Sequence, residues 1–210
     1  FQLSSIVPST DPEMIYFDQF KKEFGEDGNI LVLGIQDSSV YEVDNFKKLK
    51  FMTDELSTLY GVKDVLSLPT LKRLVKDKEL KRFRLEPIFD EIPEEQTTLD
   101  SMIAYAMSLE FYKGQLLNAE NGANMVLVSV EKEIMNLEIR NTVVGDILHT
   151  AEAFEANTGI VLRYAGLPFV RYLNTVKIKK ELNLFLVLSI IVAAIVLFLF
   201  FRSIKVVVVP

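Results

Sequence analysis

The chain has 210 residues, enough for one ordinary domain and a short additional element. Its formal net charge of −6 argues against nucleic acid as the main partner, because neutralising phosphates requires a basic face. Cysteine is absent, which excludes disulfides and thiolate metal sites, and the hydrophobic excess is concentrated between Leu182 and Val209.

The opening "FQLSSIVPSTDPEM" has neither a basic n-region nor an apolar core, so it does not read as a signal peptide. Residues 1–28 read as a polar lead-in from a preceding span. "NILVLGIQ" (Asn29–Gln36), bounded by "GEDG" and "DSS", predicts a buried strand. "VDNFKKLKFMTDELSTLYG" then predicts a helix, with Phe46, Leu49, Met52, Leu56 and Leu59 in one stripe and Gly61 just past its end. "GVKDVLSLPT" (Gly61–Thr70) predicts a second strand, closed by Pro69.

Residues of about 71–121 read as an insertion in two parts. The first is basic from Lys72 to Arg84 and acidic from Asp90 to Glu95. The basic run reads as a solvated helix with no large apolar face, and docking to an anionic headgroup or a partner protein is the alternative. The second part, "TTLDSMIAYAMSLEFY", predicts a helix capped by Thr97 or Thr98, with Leu99, Met102, Ile103, Ala106 and Leu109 on one face.

After an Asn121-Gly122 turn signal, "ANMVLVSVE" (Ala123–Glu131) predicts a third strand, and "QLLNA" before the turn offers a hairpin partner. A second long helix follows, with Asn136 as N-cap, Ile139, Val143, Ile147, Ala151 and Phe154 on one face, and Gly159 as its stop. "GIVLRYAG" (Gly159–Gly166) alternates as a fourth strand. Strand, helix, strand, insertion, strand, helix, strand predicts an α+β fold over residues 29–166 of the split β-α-β, ferredoxin-like kind.

Residues 167–181 read as a linker, and 182–201 as a transmembrane helix. From Leu184 to Phe201 the only polar residue is Ser189, and about 20 residues at about 1.5 Å each cross a hydrocarbon core of about 30 Å. Residues 202–205, with Arg202 and Lys205, form a short turn, and residues 206–210 are expected to open a further transmembrane helix. Arg171, Lys177, Lys179 and Lys180 precede the span. Taken alone they would place the large domain in the cytoplasm, although that rule counts short loops and large domains translocate largely regardless of charge.

Little in the chain assembles chemistry. His149 is the only histidine, and a surface or rim position is its expected one. "DEIPEE" lacks the spaced ligands and turn glycine of a calcium loop, which leaves a solvated loop. "GEDG" precedes a strand, whereas a phosphate-binding loop follows one. No Ser-His-Asp arrangement can be assembled. No catalytic, cofactor-binding or metal-binding residues are expected, nor any cofactor, and the chain is expected not to be an enzyme.

"STDPEMIYFDQFKKEFGEDGNILVLGI", "GVKDVLSLPT" and "YAGLPFVRYLNTVKIKKELNLF", leading into the span and "FFRSIKVVVVP", resemble the resistance–nodulation–division (RND) superfamily. The likeness is to the first extracytoplasmic loop and second transmembrane helix of its MMPL-like hydrophobe exporters. It covers essentially the whole chain and rests on the order and spacing of modest motifs. It implies that residues 29–166 are a porter module and 182–201 the second transmembrane helix. Residues 202–205 would then be a cytoplasmic turn. It further implies export driven by a proton gradient, with hydrophobic or lipid-like substrates. The implied partners are membrane lipid, the remaining helices and second porter loop of the same protein, and further copies in a homo-oligomer. The implied location is a bacterial inner membrane, with the domain on the extracytoplasmic side. The coupling carboxylates of that superfamily lie in later helices, so no coupling residue is assigned here. The alternative is a single-span, membrane-anchored α/β binding or scaffolding module without transport, which accounts better for the basic flank.

Overall fold

The computed structural model describes residues 8, 10–24, 28–77, 82–112, 114, 116–118 and 122–201. The expected turn at 202–205, the further span at 206–210 and Asn121 of the turn signal lie outside these residues. The chain divides into two compact units, Phe1–Val170 and Arg171–Pro210.

The first unit is built on a four-stranded sheet of order β2-β5-β1-β6. Its strands are β1 (Ile30–Ile35), β2 (Val62–Leu66), β5 (Asn124–Val130) and β6 (Leu162–Ala165). Every neighbouring pair is antiparallel. Along β1 the side chains alternate, with Leu31, Leu33 and Ile35 buried. Opposite them on β5 stand Val128, Val126 and Asn124, also buried. This alternation fixes the register, because a slip by one residue would turn each apolar set to the other face. Each such Leu or Val contributes about 1.5–3 kcal/mol when fully buried.

The helices α2 (Val43–Thr58) and α4 (Arg140–Thr158) pack against each other, and α2 also contacts β2. The stripe on α2 is buried at Phe46, Leu49, Met52 and Leu56. On α4 the buried side is Val143, Val144, Ile147, Thr150, Ala151 and Phe154, whereas Ile139 is 41% exposed. Asn136 belongs to a short 3-10 turn, Ile134–Asn136, and α4 begins at Arg140, so Asn136 does not cap it. Gly159 does stop α4: it sits at φ +74°, and its N–H donates to the carbonyl of Glu155.

The insertion departs from expectation. Lys72 to Arg84 is not a solvated helix but part of an antiparallel hairpin, β3 (Lys72–Asp77) and β4 (Arg82–Pro87), separate from the main sheet. The physical reason is the period of two in "RFRLEP", where Phe83 and Leu85 alternate with Arg82, Arg84 and Glu86. The hairpin does carry an apolar face: Leu74 pairs with Leu85 and Lys76 with Phe83, which places Leu74, Leu85 and Phe83 on one side.

Beyond the hairpin, α3 (Gln96–Ser108) buries Leu99, Ile103 and Ala106. These join Leu68, Leu71, Phe89, Leu116 and Leu117 around Phe46 of α2, so the insertion shares a cluster with the main domain. Glu95, not Thr97 or Thr98, occupies the cap position of α3. Among the described residues, the expected hairpin partner of β5 contributes one bridge, Leu117 with Asn124. A helix unmarked in the sequence, α1 (Pro12–Phe24), precedes β1. Residues 167–181 are helical and form the start of α5 (Leu167–Phe201), a single 35-residue helix.

Candidate functional site

The charged groups singled out in the sequence stay apart. His149 lies exposed on α4. Asp90, Glu91, Glu94 and Glu95 are exposed, and Glu94 accepts from Lys47 Nζ of α2 at 2.8 Å. Among the described residues no three His, Asp or Glu side chains are grouped to hold a metal ion. The recess lined by Pro12, Glu13, Tyr16 and Phe20 is open, and Glu13 is the only ionisable carboxylate among these four. A ligand pocket has several converging polar groups.

The feature that can act is α5. It is long and apolar enough to cross a membrane. From Leu182 to Leu197 its large apolar side chains are 39–70% exposed. A helix in water hides such a surface, whereas in hydrocarbon it is the required one. Its one hydroxyl in the apolar run, Ser189, donates to the carbonyl of Phe185 at 2.8 Å, so no side-chain donor is stranded. Before the run, Thr175 Oγ1 donates in the same way to the carbonyl of Arg171 at 2.8 Å. Lys177 and Glu181, one turn apart, approach to 4.0 Å with both side chains exposed.

The root of α5 is fixed within the first unit. Glu155 of α4 accepts from the backbone N–H of Leu162 at 2.5 Å and from the phenol of Tyr164 at 3.2 Å. Tyr164 stacks on Phe169 with ring centroids 5.5 Å apart. Burial first, then the charge of Glu155, pushes the Tyr164 phenol well above its ordinary range. Gly166, at φ +104°, makes the turn from β6 into α5, and a Cβ there would overlap the carbonyl oxygen of Ile30. Only glycine allows both this conformation and this approach.

A second, partly buried network joins the 3-10 turn Ser38–Tyr41, just before α2, to β5 and to Gly122 ahead of it. Tyr41 donates to the carbonyl of Gly122 at 2.6 Å and accepts from Asn124 Nδ2 at 3.3 Å. Burial raises the Tyr41 pKa. Asn124, 1% exposed, has no partner for its Oδ1 among the described residues. Tyr41, Glu155 and Tyr164 carry no local signature of these roles, because Tyr41 meets partners 81 and 83 residues away and Glu155 meets Leu162 and Tyr164 only once α4 folds back beside β6. Gly166 was visible only as a strand end.

No known protein family matches this sequence, and a search of curated proteins finds no match to it.

Proposed function

We propose that this chain is part of a proton-gradient-driven membrane exporter of the RND, MMPL-like kind, with α5 crossing the bilayer and the α+β domain lining part of the path for hydrophobic or lipid-like substrates. The observation that carries the reading is the continuity of α5. One helix begins at a root packed into the domain and ends in a bare apolar surface of membrane length.

The arrangement of the sheet adds support for a ferredoxin-like porter module. Taken alone, β1, β2, β5 and β6 follow a strand-helix-strand, strand-helix-strand order, with α2 and α4 as the helices. They lie in the spatial order second, third, first, fourth, with all neighbours antiparallel. The proposed location is a bacterial inner membrane with this module outside the cytoplasm. In this reading, motions of the module open and close access while helices elsewhere carry the protons.

The test is transport by the polypeptide that carries this chain, reconstituted in liposomes with a fluorescent lipid-like substrate. An imposed pH gradient is expected to drive substrate movement that a protonophore abolishes. Deletion of residues 29–166 is expected to remove it while the remaining helices still insert. Movement that survives the deletion overturns the role of the module.

A single-span anchored module without transport is the second reading. It is favoured by the exposed Lys177, Lys179 and Lys180 that precede the apolar run. Under it, the same liposomes show no gradient-dependent movement at all.

A further inference from the structure

Just ahead of its apolar run, α5 carries polar groups that the helix itself does not use. Lys177 approaches Glu181, whereas Lys179 and Lys180 are exposed and have no ion-pair partner among the described residues. Asn183, the residue after Leu182, is exposed too, and its amide makes no hydrogen bond among them. The hydroxyls of the same helix behave differently. Thr175 and Ser189 both fold back onto carbonyls of their own helix. An amide at the edge of hydrocarbon needs a partner from elsewhere, because burying it unpaired is costly.

Helix geometry gathers the three groups. Asn183 follows Lys179 by four residues and Lys180 by three, so they are neighbours on one face of α5. Glu181, at about 100° per residue, is turned away from that face and towards Lys177.

Depth selects the ligand. Residues 182–201, at about 1.5 Å each, fill a hydrocarbon core of about 30 Å, which leaves a headgroup layer of about 5–8 Å on each side. Lys179 and Lys180 stand about 3–5 Å above Leu182, inside that layer, with Asn183 at its floor. Arg171, about 16 Å above Leu182, stands outside it. We propose that Lys179, Lys180 and Asn183 form a site for the headgroup of an anionic phospholipid.

The two ammonium groups donate to phosphate oxygens, and the Asn183 amide donates to the phosphate or to the ester carbonyl beneath it. A choline headgroup would bring its own cation against the lysines, so selection falls on net negative charge. Contact with lipid follows from any span, but a preference for headgroup charge on one helix face does not. The proposal rests on the membrane reading of α5 and is independent of transport. It also gives the basic flank a role that does not depend on which side of the membrane the domain occupies.

The chain has no tryptophan, so one reporter can be placed on either side of α5. Val187→Trp extends the Asn183 face into the core, and Phe185→Trp lies about 200° round the helix from it. Each full-length variant is reconstituted in mixed phosphatidylcholine and phosphatidylglycerol vesicles, with one lipid or the other brominated in its acyl chains. Quenching at Val187→Trp is expected to show phosphatidylglycerol preferred by at least about tenfold, at about fivefold per lysine. Quenching at Phe185→Trp is expected to show no preference.

Lys179→Gln together with Lys180→Gln should remove the preference, and Asn183→Leu should lower it about threefold. Arg171→Gln, which removes one charge outside the headgroup layer, should leave it unchanged. Equal preference at the two reporters, or a preference that survives the double substitution, overturns the proposal. Loss of the preference in excess inorganic phosphate would assign the lysines to a free anion and overturn it as well. Quenching of both reporters without preference sinks this proposal alone. If neither lipid quenches either reporter, the membrane reading falls and this proposal with it.

Discussion

Tyr164 ties three elements together through one phenol, and its titration reports on that junction. Its pKa is raised by burial and by Glu155, and that of Tyr41 is raised by burial. A raised folded pKa means that the stabilisation is complete below the unfolded value of about 10 and is lost as pH climbs through the folded values. On alkaline titration followed at 295 nm, these two of the seven tyrosines are expected to ionise late, together with unfolding. Tyr164→Phe should flatten the alkaline fall in stability. Seven tyrosines ionising together near pH 10 in a folded chain would contradict this. Gly166 makes a sharper case. Gly166→Ala meets left-handed strain of about 1–2 kcal/mol before the overlap with Ile30 is counted. Denaturant unfolding should show a loss larger than that. Gly159→Ala, with nothing near its Cβ, should show strain alone.

Among the elements, the insertion holds two kinds of aromatic residue that substitution should separate. Phe89 is 1% exposed and lies 5.1 Å from Phe46 between ring centroids. Phe89→Ala is expected to cost about 3–5 kcal/mol. Phe83, exposed on the hairpin, should change stability by no more than about 0.5 kcal/mol when truncated. Thermal melts of the two variants test the contrast. The same region shows what was legible in the sequence. β1 was readable because turn residues bound a short apolar run on each side, and β5 because such a run follows the Asn121-Gly122 turn signal. α2 was readable because its stripe recurs every three or four residues. The hairpin has a faint signature because Phe83 and Leu85 alone carry the alternation of β4 within a stretch crowded with charge. The cap of α4 was misplaced because Asn136 has the right chemistry, while the chain first makes a 3-10 turn there. The joining of Leu68, Leu71 and Phe89 to Phe46 is tertiary and has no local signature.

For the whole molecule, the membrane reading turns on α5. Ile191→Arg, near the middle of the apolar run, should raise the cost of insertion by about 2.5–3.5 kcal/mol. A glycosylation-mapping assay of insertion checks this, and unchanged insertion would count against the span. The side of the domain can be fixed separately. Because the chain has no cysteine, Lys63→Cys provides one exposed thiol. Labelling by an impermeant maleimide in intact spheroplasts is expected if the domain lies outside the cytoplasm. Labelling only after lysis would favour the anchored alternative.

The junction at Gly166 also has a mechanical side. β6 is an edge strand of four residues, paired with β1 alone, and it is the strand that runs directly into α5. Any tension carried along α5 therefore arrives first at the shortest strand of the main sheet, where only one neighbour resists. The central strands β1 and β5 are each paired on both sides. Under load the sheet should peel from this edge while its centre holds, with Glu155 gripping Leu162 and Tyr164 as the latch that must slip first.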